Sequence, residues 1–206
     1  MLTQQFVPVN GASAVALEDL TPTGDDVDTD GNINIQLLSA GGVTTATYQW
    51  IDWSADDDVK GWCDGNFELV EGVTFSAGQG LWVQGNSTGA AIQSAGKVGT
   101  GDVVVQLRPG FTAAGNPFPT SIALQDLIPE GENVDTDGNI NIQLLSAGGV
   151  TTDTYQWIDW SADDDVKGWC DGNFELVEGV TFSAGQGLWI QGTKTTEYIR
   201  FPAPEL

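Results

Sequence analysis

An internal duplication is the feature that most constrains what this chain can fold into. Residues 27–85 recur at 134–192, at an offset of 107, with 57 of 59 positions identical. The two differing pairs are Ala46 against Asp153 and Val83 against Ile190. A period of this length is too long for a solenoid unit and matches a small domain. We therefore predict two tandem domains, the first over residues 1–98 and the second over residues 99–206.

Alternating apolar and polar residues between glycine-rich turns indicate an all-β fold. Residues 33–37 alternate strictly, and Gly41-Gly42 turns the chain into 43–53, which is rich in Thr, Tyr and Trp. The other predicted elements are a second hairpin of 67–75 with 81–84, strands at 90–94 and 102–108, and short helical turns within 13–20 and 120–127. Regular short strands of this kind predict two tandem β-sandwich-like domains or small barrels.

The charge balance excludes several classes of function. The chain has 29 acidic residues, 6 basic residues and no histidine, and its net charge is −23. We expect no binding to nucleic acid or to anionic membranes, because both carry the same sign of charge. The lack of histidine removes histidine-dependent nucleophilic catalysis and histidine-ligated zinc. The sequence contains no long apolar run, so we expect no membrane insertion. The two cysteines, Cys63 and Cys170, are predicted to be buried and unpaired.

One acidic motif in each repeat is a candidate calcium site. Its spacing resembles the first half of an EF-hand loop, in which alternate oxygen ligands surround Ca²⁺. The candidate ligands are Asp26, Asp28, Asp30 and Asn32 in the first repeat and Asn133, Asp135, Asp137 and Asn139 in the second. The glutamate that closes an EF-hand loop is replaced by Leu37 and Leu144. Two interpretations stay open: a calcium loop, or a solvated Asp/Asn/Gly turn that opens a strand.

Tryptophan is frequent, with four residues in each repeat. Exposed indole rings beside Asp and Asn side chains are suited to stacking against sugars, whereas buried indole rings would build the core. The candidate sugar-binding residues are Trp50, Trp53 and Trp62 and their counterparts Trp157, Trp160 and Trp169. Because Trp53 and Trp62 flank an acidic loop, we expect these two to be the most accessible.

A set of motifs follows a characteristic order along the chain. In the second repeat they are GNPFP at 115–119, LQDL at 124–127, GWCD at 168–171 and GQGLW at 185–189, and the motif that closes the order, AGKV, stands in the first repeat at 95–98. In this order the chain resembles uncharacterised tandem-repeat modules of large secreted proteins from gut and rumen bacteria. It departs from their pattern at Cys63 and Cys170, where an aromatic residue is usual, and the first repeat keeps only Asn10-Gly11 of GNPFP. The resemblance implies a modular, extracellular bacterial protein and no particular chemistry.

One predicted strand is not duplicated. The segment 99–107, which contains the strand at 102–107, has no counterpart at an offset of 107. The two repeats therefore share one such strand, and one repeat needs a substitute. Met1–Val9 is one candidate for that substitute. Otherwise an open edge would accept a strand from a neighbouring chain, such as Tyr198–Phe201, by β-augmentation.

Together these features predict a non-catalytic, extracellular β-repeat module of a bacterial surface protein of the adhesin-like or fibre-like kind. The alternative is a carbohydrate-binding module that uses tryptophan stacking and is appended to a secreted glycan-degrading protein. The expected partners are therefore glycans or neighbouring chains, and calcium is the only candidate cofactor. We do not expect an enzyme, because small duplicated domains without histidine offer little scope for a catalytic cleft.

Overall fold

Short β-strands make up nearly all of the regular structure. The computed structural model describes residues 2–3, 14–24, 26–28, 30–39, 41–56, 58–85, 91–93, 99–146, 150–162 and 166–204. Within these residues the helical elements are two 3₁₀ turns, Leu17–Asp19 and Leu124–Asp126. Neither of these turns, nor any other described segment, is a helix long and apolar enough to span a membrane. The predicted all-β fold class is confirmed.

The first repeat contributes nine described strands. They are β1 (Leu2–Thr3), β2 (Ala14–Ala16), β3 (Thr21–Thr23), β4 (Ile33–Leu38), β5 (Thr44–Trp53), β6 (Val59–Cys63), β7 (Thr74–Ser76), β8 (Gly80–Gly85) and β9 (Ala91–Gln93). Five of them form an antiparallel sheet in the order β1-β8-β4-β5-β6. The remaining strands pair as β2 with β7 and β3 with β9.

The second repeat follows the same plan with one strand more. Its strands are β10 (Val103–Gln106), β11 (Gly110–Gly115), β12 (Ile122–Ala123), β13 (Ile128–Gly131), β14 (Asn141–Leu145), β15 (Thr151–Trp160), β16 (Val166–Cys170), β17 (Thr181–Phe182), β18 (Gly187–Gly192) and β19 (Glu197–Phe201). The sheets run β11-β18-β14-β15-β16, β10-β19-β13 and β12-β17. All these described sheets are open and antiparallel, as in a sandwich-like architecture.

Each repeat builds its own hydrophobic core from the inward face of its strands. In β4 the alternation of Ile33, Asn34 and Ile35 leaves both isoleucines buried, because successive side chains of a strand point to opposite faces. The larger core lies in the second repeat and includes Leu107 and Phe201, and the smaller one lies in the first. Every described sheet takes its strands from a single repeat, and the two repeats meet at an isolated bridge between Gln79 and Ala114.

The predicted hairpin of 67–75 with 81–84 is wrong. β7 covers only Thr74–Ser76 and pairs with β2, and β8 pairs with β4. The preceding residues turn instead, because Phe67 and Gly72 have positive φ angles of 64° and 74°. The strand β6, which the prediction omitted, pairs with β5 and completes that side of the sheet.

The unduplicated strand β10 belongs to the second repeat. It pairs along its length with β19, whose other edge pairs with β13. Tyr198–Phe201, which we considered as a donor to a neighbouring chain, is therefore already paired on both sides. Within Met1–Val9, Leu2–Thr3 pairs with β8 and so corresponds to β11, which pairs with β18 in the second repeat. The rest of Met1–Val9 and the AGKV motif at 95–98 lie outside the described residues.

The GNPFP motif has a structural role. Asn116 is completely buried. Its Nδ2 donates to the carbonyl oxygens of Thr120 at 2.7 Å and Phe182 at 3.1 Å, and its Oδ1 accepts from the backbone N–H of Phe118 at 3.0 Å. One amide side chain thus satisfies several backbone groups that would otherwise be buried without partners.

Candidate functional site

The calcium-candidate loops, 26–32 and 133–139, close on themselves. The Nδ2 of Asn32 donates to the carbonyl oxygen of Asp26 at 2.8 Å, and Asn139 makes the same bond to Asn133 at 2.8 Å. Asp26 and Asn133 have φ angles of 56° and 60°, a left-handed conformation that Asp and Asn tolerate better than most residues. Asn32 and Asn139, two of the predicted ligands, therefore use their amide group to fix the loop.

The aspartates of these loops face tryptophans on the neighbouring strand. Trp53 donates its indole N–H to Asp30 at 2.9 Å, and Trp50 donates to Asp28 at 3.4 Å. The second repeat has the same contacts, from Trp160 to Asp137 at 2.8 Å and from Trp157 to Asp135 at 3.4 Å. The sequence presented the acidic motif and the tryptophans as two separate candidate sites. The structure brings them together as one.

Whether these loops can bind Ca²⁺ depends on the oxygen atoms that remain available as ligands beside these contacts. No group of three or more acidic, cysteine or histidine side chains that could hold a metal ion lies within the described ranges. In the second loop Asp135 also lies 3.8 Å from the Lys167 ammonium. Because Ca²⁺ also takes backbone and amide oxygens as ligands, calcium binding at the calcium-candidate loops stays a prediction.

Four of the six candidate sugar-binding tryptophans are core residues. Trp62 and Trp169 are almost completely buried and donate their indole N–H to the carbonyl oxygens of Leu20 at 2.7 Å and Leu127 at 2.9 Å. Trp50 and Trp157 are also buried and meet them edge to face at 5.5 Å. Our expectation that Trp62 is accessible is wrong, because its ring completes the core between β6 and the 3₁₀ turn. None of these four rings presents a face to a ligand.

The other two candidates form the aromatic platforms, which we define as Trp53 with Phe67 and Trp160 with Phe174. The ring centroids of each pair lie 5.5 Å apart, and the interplanar angles are 28° and 29°. Both tryptophans are half-buried, whereas Phe67 and Phe174 are 45% and 47% exposed. Each platform thus consists of a tryptophan fixed by a carboxylate and a phenylalanine open to solvent.

A strained turn holds each platform phenylalanine. Phe67 and Phe174 have φ angles of 64° and 63°, which is rare for a bulky residue and costs about 1–3 kcal/mol. In the first repeat Asp64 stabilises the turn, because its Oδ1 accepts from the backbone N–H groups of Asn66 at 2.8 Å and Glu68 at 3.1 Å. These backbone bonds lower the pKa of the Asp64 carboxyl. Strain kept at the same position of both repeats marks a position with a specific role.

Sequence reasoning missed these two phenylalanines because it placed the first of them in a strand. The available signal was the Asp-Gly-Asn run at 64–66, which is typical of a turn. A turn there predicts that the next apolar residue is exposed rather than paired.

An ion pair lies at the C-terminal end of β5. Lys60 donates to Asp52, and Ser54 donates to the same carboxylate at 2.6 Å through its hydroxyl. The bond from Lys60, followed by those from Ser54, lowers the pKa of Asp52 to about 2. The counterpart Asp159, bound by Lys167 and Ser161, has a lowered pKa for the same reasons. Both carboxyl groups are therefore fixed as anions at neutral pH.

The cysteines are confirmed as buried and unpaired. Burial, more than the nearby acidic residues, raises the pKa of the Cys63 and Cys170 thiols. A raised pKa reduces the thiolate fraction that nucleophilic or metal chemistry requires. Cys63 and Cys170 therefore act as small core residues.

The candidate site is thus a repeated surface of two carboxylates, one half-buried indole and one exposed phenyl ring. Comparison of the chain with protein-family models, with curated proteins and with solved structures finds no match.

Proposed function

We propose that this chain is a non-catalytic, extracellular β-repeat module of a bacterial surface protein, adhesin-like or fibre-like, which displays the same aromatic platform twice. The observation that carries the proposal is the near-identity of the two platforms. Their ring spacing, their ring angles and the carboxylate that binds the indole N–H agree between repeats. Displaying one surface in several copies raises the avidity of a weak contact without any new interaction.

The state of the carboxyl groups supports a non-catalytic role. Glycoside hydrolysis needs one carboxyl group with a raised pKa as the acid and a second one facing it across the scissile bond. Here Asp52 and Asp64 have lowered pKa values, because a lysine or backbone N–H groups bind their anionic form. Asp30 instead accepts the indole N–H of Trp53. These carboxylates orient neighbouring groups.

A carbohydrate-binding module is the second candidate, and the exposed rings favour it. Phe67 and Phe174 present ring faces to solvent beside carboxylate acceptors. Aromatic faces supply apolar contact area, and neighbouring polar groups fix the orientation of a ligand. On this proposal the apolar face of a sugar ring lies on the phenylalanine, and its hydroxyl groups donate to the carboxylate oxygens of Asp30 or Asp137.

Affinity electrophoresis on a panel of soluble polysaccharides, with pull-down on insoluble ones, separates the two candidates. The test variant is Phe67→Ala with Phe174→Ala. The matched control is Val43→Ala with Val150→Ala, which removes exposed apolar residues at the β4–β5 turn and its counterpart, 67% and 68% exposed. Retardation that the platform variant loses and the control keeps would support the carbohydrate-binding module.

The same panel tests the non-catalytic proposal. Lack of retardation by any glycan, without release of reducing ends, supports a structural module. Release of reducing ends by the wild-type chain would refute the non-catalytic proposal for both candidates.

A further inference from the structure

The two repeats differ in the sheet that contains β9 or β19. In the second repeat β19 lies between β10 and β13, whereas β9 pairs with β3 alone within the described part of the first repeat. The shared part of the two sheets has the same register: Ile92 faces Pro22 and Ile199 faces Pro129, each pair shifted by 107. The outer edge of β9 therefore corresponds to the edge of β19 that β10 occupies.

The strand β10 indicates what this edge accepts. Val105 lies opposite Ile199. Val105 and Leu107 are buried, whereas Val104, which precedes Val105, is 51% exposed. The backbone N–H of Leu107 donates to the carbonyl oxygen of Glu197 at 2.8 Å and extends the pairing beyond the strand. Main-chain bonds give such an edge its affinity, and aliphatic side chains at alternate positions give it specificity.

The core next to β9 is less well covered than its counterpart. Ile199 and Leu127 are completely buried, whereas Ile92 is half-buried and Leu20 keeps 8% of its surface exposed. All four belong to the cores of their repeats or pack against them. Apolar surface beside a strand edge that has no partner among the described residues is what one more strand would remove from water.

We propose that the outer edge of β9 is an acceptor site for an extended strand of the β10 type, donated by another polypeptide chain. The kind of donor, a neighbouring module with aliphatic residues at alternate positions, rests on the proposed module function. The Tyr198–Phe201 strand is not this donor, because it is paired on both edges within its own repeat.

Charge defines the donor further. In the second repeat the Arg200 guanidinium lies 3.3 Å from the carboxylate of Asp102, the residue that precedes β10. Gln93 stands at the position of Arg200 in the first repeat. Residues 1–98 carry 2 basic and 13 acidic residues, a net charge of 2 − 13 = −11. The acceptor edge therefore favours a donor that has no acidic residue at the position of Asp102.

The test uses the full chain and a synthetic peptide with the sequence of residues 101–108, acetylated and amidated at its ends. Binding is read by hydrogen exchange with mass spectrometry. We expect the peptide to protect the segment that contains Ala91–Gln93 and to raise the Tm. A peptide with Asp102→Asn should bind at least twofold more tightly at low ionic strength, because it removes one repulsive charge.

Two control peptides make the result specific. Val105→Asn places a polar group on the inward face and should weaken binding at least tenfold, whereas Val104→Asn lies on the outward face and should change it less than twofold. Three results would overturn the proposal. The first is that neither the parent peptide nor the Asp102→Asn peptide binds, as when the chain's own residues fill this edge. The second is that the two control peptides bind equally, and the third is that protection appears only at Glu197–Phe201, which would mean that the peptide exchanges with β10. None of these results affects the platform and glycan tests of the module function, so the two proposals fail independently.

Discussion

Replacing Leu107 with alanine tests whether β10 stabilises only the second repeat. Leu107 is completely buried in the core of that repeat, beside the end of β10. The substitution removes three carbon groups, worth about 2.4 kcal/mol at about 0.8 kcal/mol each. The cavity that remains raises the loss, so we expect the free energy of unfolding to fall by about 3 kcal/mol. With a urea dependence of about 1–3 kcal/mol per M, the midpoint moves by about 1–3 M.

The assay is urea unfolding followed by tryptophan fluorescence, since each repeat has four tryptophans. Hydrogen exchange with mass spectrometry then assigns each transition to a repeat. The midpoint of the second repeat should fall while that of the first stays within about 0.2 M, because the two cores share no residue. Val104→Ala, on the outward face of the same strand, should change the free energy by less than about 0.5 kcal/mol.

Two results would refute this reasoning. Equal losses in both repeats would mean that β10 couples the two cores. A loss below about 1 kcal/mol would mean that the Leu107 site collapses around the smaller side chain or that β10 is not part of this core.

Three other predictions concern the calcium-candidate loops, the Asp52–Lys60 pair and the buried Trp62. If the calcium-candidate loops bind Ca²⁺, a chelator at matched ionic strength should lower the Tm, because a ligand of the folded state stabilises it. Mg²⁺ should substitute poorly for Ca²⁺. An unchanged Tm would contradict calcium binding and support the interpretation of these loops as solvated turns. The pKa of Asp52 is lowered to about 2, so its pairing with Lys60 should stabilise the fold fully above about pH 4 and progressively less as the pH falls towards about 2. In acid titrations Lys60→Met should flatten this part of the stability profile. The same profile for the variant and the wild-type chain would exclude the pair as the cause of the pH dependence. Trp62→Phe should reduce the free energy of unfolding by about 1–3 kcal/mol, because it leaves the buried Leu20 carbonyl without its donor; urea unfolding of the first repeat measures this, and a loss below about 0.5 kcal/mol would contradict it.

The elements that the sequence predicted correctly are those that local pattern alone determines. Ile33 and Ile35 alternate with polar residues, and the strand and its buried face follow directly from that period. The long strand after Gly42 is rich in Thr, Tyr and Trp and needs no distant partner to be recognised. The short helical turn at 17–19 was likewise visible in the sequence.

The parts that failed depend on contacts between distant segments. Residues 67–75 have apolar character, yet Phe67 and Leu69 are exposed. Leu69 forms an isolated bridge with Cys63, and Thr74–Ser76 pairs with Ala14–Ala16, about 60 residues earlier. Adjacent apolar runs favour a hairpin in local reasoning, whereas the fold here uses a long-range pair.

The aspartates and Trp53 were named from the sequence as candidate residues, whereas the platform phenylalanine and the arrangement of the site were not predicted. Asp30 and Trp53 are 23 residues apart, and their bond forms because the loop before β4 lies next to the end of β5. The sequence alone therefore presented the acidic motif and the tryptophans as separate candidate sites. Which tryptophans are accessible depended on packing against β6 and the 3₁₀ turn, and no periodicity in the sequence carries that information.

The comparison of the two repeats separates what the duplicated segment supplies from what its flanks supply. The segments 27–85 and 134–192 are nearly identical and make the same pairs between β4, β5 and β6 as between β14, β15 and β16. Their surroundings differ, because β10, β11 and β19 come from outside the duplicated segment. The duplicated sheet cannot bury its inner face alone, and the flanking strands determine how completely that face is buried in each copy. Differences between copies, in stability and in strand acceptance, should therefore be located in the flanks, and the aromatic platforms, which lie inside the duplicated segment, should behave alike.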